Sequence, residues 1–229
     1  MRIIGHRGAP GYAPENTLES FELAIRQGVP VIELDVHQCA SGELVVIHDE
    51  RVDRTTNGKG LVAEMTLDEL KNLDAGNGNQ VPTLEEVLEA VDRRVKINIE
   101  IKGRKVAQPL AEMLSKFMFE KEWNPNYFYV SSFDHRQLKQ FHSLIPRVRI
   151  GVLYEIFPFN YQKLAREMNA FSINFSVDFC EKDLIAGIHK NGLEAWVYTV
   201  NEPKIFEKLK AMGVDAVFTN YPDRFLKSN

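Results

Sequence analysis

Short apolar runs alternate with amphipathic stretches along almost the whole chain, a pattern that predicts buried parallel strands each followed by a helix. The first strand is about Arg2 to His6. A helix follows Asn16, with Phe21, Leu23, Ala24 and Ile25 at its apolar positions and Gly28 at its end. Asn16 and Glu19 have capping-box spacing, so Pro14-Glu15-Asn16-Thr17 has a plain structural reading as a helix start. Val31 to His37 reads as the second strand, and Leu44 to Ile47 as a short additional strand that delivers His48 to its end. Residues 51–80 lose this periodicity and contain Gly58, Gly60, Gly76 and Gly78. They are predicted to form an excursion over one end of the domain, with a short helix near Leu67 to Leu73. Thr83, with Glu86 three residues on, caps a helix through Val91.

The pattern then repeats. Further strands are predicted at Lys96 to Ile101, Tyr127 to Ser131, Val148 to Leu153, Phe171 to Phe175, Glu194 to Thr199 and Ala216 to Phe218. Helices between and after them cover about Val106 to Phe119, His135 to Ser143, Tyr161 to Met168, Lys182 to Lys190, Pro203 to Met212 and Pro222 to Leu226. Eight strand-plus-helix units in 229 residues favour a closed (β/α)8 TIM barrel with a small insertion after strand two over an open doubly wound sheet. No break in composition marks a second domain, so residues 1–229 are expected to form one barrel domain.

Composition narrows the function classes. A formal net charge of -4 gives no electrostatic reason to expect nucleic acid or an anionic membrane as partner. An anionic substrate must therefore be met by a local patch. No apolar stretch approaches the roughly 18 residues needed to cross a bilayer, so no stable membrane insertion is expected. Cys39 and Cys180 are too few for a disulfide framework and lack zinc-ligand spacing, and they read as free thiols in a reducing compartment. Met1-Arg2-Ile3-Ile4 runs straight into the first chemical motif, an arrangement that leaves no room for a signal peptide and predicts a cytoplasmic location.

In such a barrel, functional side chains gather at the C-terminal ends of the strands. His6 ends strand one, Glu33 and Asp35 lie late in strand two, and Glu100 and Lys102 end strand three. The i, i+2 spacing sends each pair to one side of its strand. Two acids flanking a leucine are by default a solvated strand end. Here Val31, Ile32, Leu34 and Val36 surround one pair, and Ile99 and Ile101 surround Glu100, so the acids are predicted to be buried. Three buried carboxylates call for a cation. Oxygen-only ligands favour Mg²⁺ or Ca²⁺ over zinc. A lone histidine is more often a packed or surface residue than a catalyst, but His6 and His48 both fall at strand ends beside this patch, where imidazole can move a proton near neutral pH. His37, His135, His142 and His189 match no motif and read as structural or surface residues. Arg7 and Lys102 suit phosphate binding, a role compatible with salt bridges to the acids, and Gly8 permits a sharp turn or a close backbone approach.

The segments His6-Arg7-Gly8, Pro14-Glu15-Asn16-Thr17, Glu33-Leu34-Asp35-Val36, His48-Asp49 and Asn98-Ile99-Glu100-Ile101-Lys102 closely resemble, in order, the motifs of the glycerophosphodiester phosphodiesterase family, and the resemblance runs to the C-terminus. It implies metal-dependent hydrolysis of a glycerophosphodiester, such as glycerophosphocholine or glycerophosphoethanolamine, to glycerol 3-phosphate and an alcohol. It also implies that Glu33, Asp35 and Glu100 hold one divalent cation, Mg²⁺ or Ca²⁺, and that His6 and His48 are the general acid and base, in an order left open. The nucleophile is either water or the substrate's own 2-hydroxyl. Phe133 and Trp196 occupy positions where family members place aromatics beside the substrate, although core packing explains either one equally well. Thr199-Val200-Asn201 and Thr219-Asn220 resemble later motifs and read mainly as loop and cap residues. The implied partner is a small-molecule glycerophosphodiester, with homo-oligomerisation left open. Three other readings compete. A lysophospholipase D on the same scaffold needs an apolar groove, for which Phe157, Phe159 and Tyr161 are available. A non-catalytic phosphodiester-binding protein has no need of two histidines beside a metal. A sugar-phosphate isomerase fits the fold but not three acids with two histidines.

Overall fold

The computed structural model describes every residue except Phe157, Phe159, Asn160 and 227–229. Its strands are β1 (Arg2–Gly5), β2 (Val31–Gln38), β3 (Leu44–Val46), β4 (Lys96–Ile101), β5 (Phe128–Ser132), β6 (Arg149–Tyr154), β7 (Ser172–Ser176), β8 (Glu194–Tyr198) and β9 (Ala216–Thr219). Except for β3, all of them pair in parallel, in the order β1-β9-β8-β7-β6-β5-β4-β2, and β1 pairs with β2 to close the ring. The result is the TIM barrel expected from the alternation of patterns. Strands covered on both faces must be apolar throughout, which is why their sequences read as continuous runs. The short β3 is antiparallel to the far end of β2, with Val36 opposite Val46 and His37 opposite Val45.

Around the ring lie α1 (Leu18–Arg26), α3 (Leu84–Val91), α4 (Ala107–Glu120), α5 (His135–Leu144), α6 (Tyr161–Glu167), α7 (Lys182–Lys190) and α8 (Pro203–Met212), while α2 (Leu67–Lys71) belongs to the excursion. Thr83 and Glu86 form the expected reciprocal capping box at α3. The start of α1 differs from expectation. Thr17, not Asn16, is the cap, its side chain accepting from the Ser20 backbone. Asn16 stands one residue outside the helix at φ 58°, a left-handed conformation that asparagine tolerates. The chain after β9 also differs, making only a 3₁₀ turn over Pro222–Arg224 where a helix over Pro222 to Leu226 is expected. Phe225 turns back and stacks on Phe206 of α8 at 4.6 Å between ring centroids, an aromatic contact that takes the chain off a helical path.

Among the described residues, three apolar clusters organise the molecule. The largest fills the layer between ring and helices. Inside the ring, Ile4, Val31, Tyr129, Trp196, Ala216 and Phe218 close its lower part. The third, built from Cys39, Val45, Ile47, Val52, Val62, Leu70, Ala75 and Val81, belongs to β3 and the excursion. Residues 51–80 are therefore a packed cap with its own small core. Among the described residues, no helix is long and apolar enough to cross a membrane.

Candidate active site

Above this filled lower layer lies a cavity of about 170 Å³, lined by His6, Arg7, Glu33, His48, Glu100 and Lys102, with Asn98 and Ser131 among its other walls. The register of β2 on β4 sets Asp35 opposite Glu100. Glu33, Asp35 and Glu100 thereby bring one carboxylate oxygen each to within 4.8 Å of one another. All three are buried, at 1%, 1% and 8% exposure, as the flanking apolar residues predict.

This cluster is electrostatically uneven. Glu33 Oε2 accepts from the Arg7 backbone N–H at 2.8 Å, whereas its buried Oε1 has no hydrogen-bond partner among the described residues. Burial, with the charges of Asp35 and Glu100 adding, pushes the Glu33 carboxyl well above its usual range. Burial likewise raises Glu100 to about 7, although Lys102 Nζ lies 2.6 Å from its Oε1 and pulls the other way. Asp35 has the opposite fate. Burial raises it, but Lys102 Nζ at 3.6 Å and Arg7 Nε at 3.3 Å outweigh burial and hold it below the usual carboxylate range. A hard cation fits this set: the donors are carboxylate oxygens only, one of them lacks a partner, and two of the acids resist ionising without further positive charge.

Both histidines present the same ring atom to the cavity wall. His6 donates from Nδ1 to Asn220 Oδ1 at 2.7 Å, since an amide oxygen can only accept. Burial, with the Arg7 charge adding, lowers His6 to about 4, so it is neutral at pH 7 with Nε2 able to take a proton. His48 donates from Nδ1 to Asp49 Oδ1 at 2.6 Å, which likewise leaves Nε2 free. Burial lowers His48 too, although Asp35 pulls the other way. Behind it, His37 donates from Nε2 to the His48 carbonyl at 3.0 Å, so a residue read from sequence as structural or surface holds the backbone of the cavity histidine.

Arg7 and Gly8 sit in a left-handed turn, at φ 52° and 89°, which folds the chain back onto α1. A Cβ at Gly8 would lie 2.3 Å from Ser20 Oγ, so glycine is required here by the neighbouring helix. Asn16 also has a role that the capping reading missed. Its Nδ2 donates to Asp35 Oδ2 at 2.9 Å, and its Oδ1 accepts from the Asp35 backbone at 3.3 Å. Asn220, read as a loop or cap residue, is the partner of His6. In each case the missing information was a tertiary contact. Asn16 reaches 19 residues along the chain and Asn220 reaches 214, distances over which local spacing is silent.

The two aromatic candidates separate. Phe133 is 38% exposed at the cavity rim, with Lys102 Nζ 5.3 Å from its ring centroid and Tyr198 edge-on at 6.1 Å. Trp196 does not reach the cavity. It is 1% exposed, lies edge-on to Tyr129 at 5.0 Å and donates from Nε1 to Glu194. Trp196 belongs to the lower layer of the ring, and Tyr198, two residues further along the same strand face, is the aromatic that β8 delivers to the cavity. Tyr161 is buried in the outer core at 6% exposure and so lines no open groove, while Phe157 and Phe159 lie outside the described residues.

Residues 6–224 match the profile of the glycerophosphoryl diester phosphodiesterase family. The chain is 40% identical over 240 residues to YhdW of Bacillus subtilis, covering 99% of this chain and 97% of that protein. It is 38% identical over 233 residues to a glycerophosphodiester phosphodiesterase of Caldanaerobacter subterraneus, covering 98% and 96%. Its backbone superposes with a TM-score of 0.89 on a phosphodiesterase of Oleispira antarctica solved in complex with the product sn-glycerol-3-phosphate, at 30% identity and with 98% and 94% of the two chains covered.

Proposed function

Since the chain belongs to the glycerophosphoryl diester phosphodiesterase family, we propose that it hydrolyses small glycerophosphodiesters to glycerol 3-phosphate and an alcohol, with the whole chain acting as one catalytic domain. One observation carries the proposal. A buried triad of carboxylates, of which Glu33 and Glu100 line the cavity, lies beside two histidines with free Nε2 atoms and two cations.

In this reading Glu33, Asp35 and Glu100 hold one divalent cation, Mg²⁺ or Ca²⁺. When bound, the cation supplies Lewis-acid polarisation of a phosphate oxygen. Arg7 and Lys102 bind the remaining phosphate oxygens and stabilise the negative charge that grows on them, acting from positions already fixed by the acids. Arg7 is held by Glu15 as well as by Asp35, so its fork is aimed before substrate arrives. One histidine, neutral at the start, takes a proton at Nε2 from the attacking hydroxyl, and the other, entering as the imidazolium, delivers one from Nε2 to the leaving alcohol oxygen. Their Nδ1–H groups, tied to Asn220 and Asp49, fix both rings in the orientation this needs. Phe133 and Tyr198 border the cavity and offer aromatic surface to the substrate.

The test is release of glycerol 3-phosphate from glycerophosphocholine, first in EDTA and then with Mg²⁺ or Ca²⁺ added back. Release that depends on the metal is expected. No release with either metal, from protein shown to be folded, overturns the proposal.

A further inference from the structure

A side chain from outside the barrel ties the two halves of the cavity together. Arg54 lies in the excursion and is 47% exposed by its side chain, yet four of its five N–H donors are engaged. Nε donates to Asp49 Oδ2 at 2.7 Å and Nη2 to Asp49 Oδ1 at 3.0 Å. Nη1 donates to Glu15 Oε2 at 2.9 Å and Nη2 to Glu15 Oε1 at 2.7 Å. The guanidinium thus grips two carboxylates at once, each through both oxygens. Those carboxylates point onward into the site. Asp49 Oδ1 accepts from His48 Nδ1 at 2.6 Å, and Glu15 Oε1 accepts from Arg7 Nη1 at 2.8 Å.

We propose that Arg54 is a positioning residue for the reaction, holding the His48 imidazole and the Arg7 guanidinium in one fixed relation through Asp49 and Glu15. The inference rests on the function proposed above for His48 and Arg7, and it assigns Arg54 no contact with substrate. Without Arg54, Glu15 and Asp49 face each other across the cap as two negative charges with no cation between them. Both then turn toward water, and the ring of His48 and the fork of Arg7 lose their second support. Lysine cannot replace it, because one ammonium cannot serve four carboxylate oxygens in two planes. A misplacement of about 1 Å in such a group lowers turnover on the order of 100-fold.

The test compares wild type, Arg54→Lys and Arg54→Ala on glycerophosphocholine with saturating Mg²⁺. Two controls run alongside: thermal melting, and limited proteolysis of the 51–80 segment. The expected result is a kcat about 30- to 100-fold lower in both variants, a KM within about 3-fold, and a proteolysis rate close to wild type. Free guanidinium at millimolar concentration restores part of the kcat of Arg54→Ala, while equal sodium chloride does not. A near-normal kcat overturns the proposal. So does a loss of kcat that tracks faster proteolysis and is not rescued, since Arg54 is then only an anchor for the cap. A second readout needs no turnover. In ¹⁵N-histidine spectra, the His48 ring, identified by its absence in His48→Gln, is Nδ1-protonated in wild type and becomes a mixture of tautomers in Arg54→Ala. An unchanged signal there overturns the proposal. A wild-type protein that releases no glycerol 3-phosphate refutes the proposed function instead, and the ring spectra still decide on Arg54.

Discussion

Asn16 offers a sharp test of how the acids proposed to hold the cation are kept in place. Its amide donates to Asp35 Oδ2 at 2.9 Å and accepts from the Asp35 backbone at 3.3 Å, at 3% exposure and φ 58°. Asn16→Gly removes both side-chain bonds but keeps the left-handed backbone free of strain. A hydrogen bond to a charged carboxylate is worth about 1.5–3 kcal/mol, and a buried N–H left unpaired costs about 1–3 kcal/mol. The longer second bond belongs at the low end of its range, so the glycine variant is expected to lose about 3 kcal/mol. Asn16→Ala adds about 1 kcal/mol for a Cβ in left-handed backbone. At about 2–4 °C per kcal/mol for a chain of this size, the glycine variant should melt about 6–12 °C below wild type, and the alanine variant a few degrees lower still. The assay is urea unfolding at pH 7 in EDTA, followed by titration with Mg²⁺ or Ca²⁺. Loss of a group that orients a ligand is also expected to weaken metal binding about 10- to 100-fold. A glycine variant within about 1 kcal/mol of wild type, binding metal normally, would refute the claim that Asn16 positions Asp35.

Other expectations follow from the same geometry. His6→Ala and His48→Ala should each lower kcat by about 100- to 10,000-fold with little change in circular dichroism, and near-normal turnover in either removes the two-histidine scheme. Glu100 is raised in the fold from 4.5 to about 7, so its contribution to stability is present at low pH and is lost as pH rises through 7. A bound cation favours its charged form, so the melting-temperature gain from saturating Mg²⁺ or Ca²⁺ should grow from pH 5 to pH 8, and a flat gain counts against the site. His6 runs the other way, its pKa lowered from 6.5 to about 4, so its contribution is present above pH 6.5 and is lost as pH falls through 4. His6→Asn should flatten the melting curve across that acid window. Phe133→Ala should change KM with little effect on stability, whereas Trp196→Phe should lower the melting temperature and leave KM unchanged. The reverse pattern would put Trp196 beside the substrate.

The ring and its acids were readable because they follow short periods. Continuous apolar runs give strands buried on both faces, and the two-residue spacing of Glu33 with Asp35 and of Glu100 with Lys102 puts each pair on one side. What holds those groups in place was not readable. Asn16, Asn220, His37 and Arg54 act through contacts made only when distant segments meet, and each belongs to a residue type with an ordinary local use as cap, turn or surface group. Trp196 shows a finer limit. The same period that points it into the ring says nothing of height along the ring axis, and one step of two residues separates a filled lower layer from the cavity.

The excursion's separate core divides the supports of the cavity between two parts of the chain. Glu33, Asp35, Glu100, His6, Arg7 and Lys102 are all anchored in the ring or its first turn. His48, Asp49 and Arg54 arrive on β3 and the cap, which packs around Val45, Ile47, Val52 and Leu70 largely by itself. The two histidines therefore come from different parts of the chain, His6 with the ring and His48 with the cap, so their relation to one another depends on how the cap seats on the barrel. Loosening the cap core at Val52 or Leu70 is expected to displace His48 while Glu33, Asp35, Glu100 and His6 stay in place.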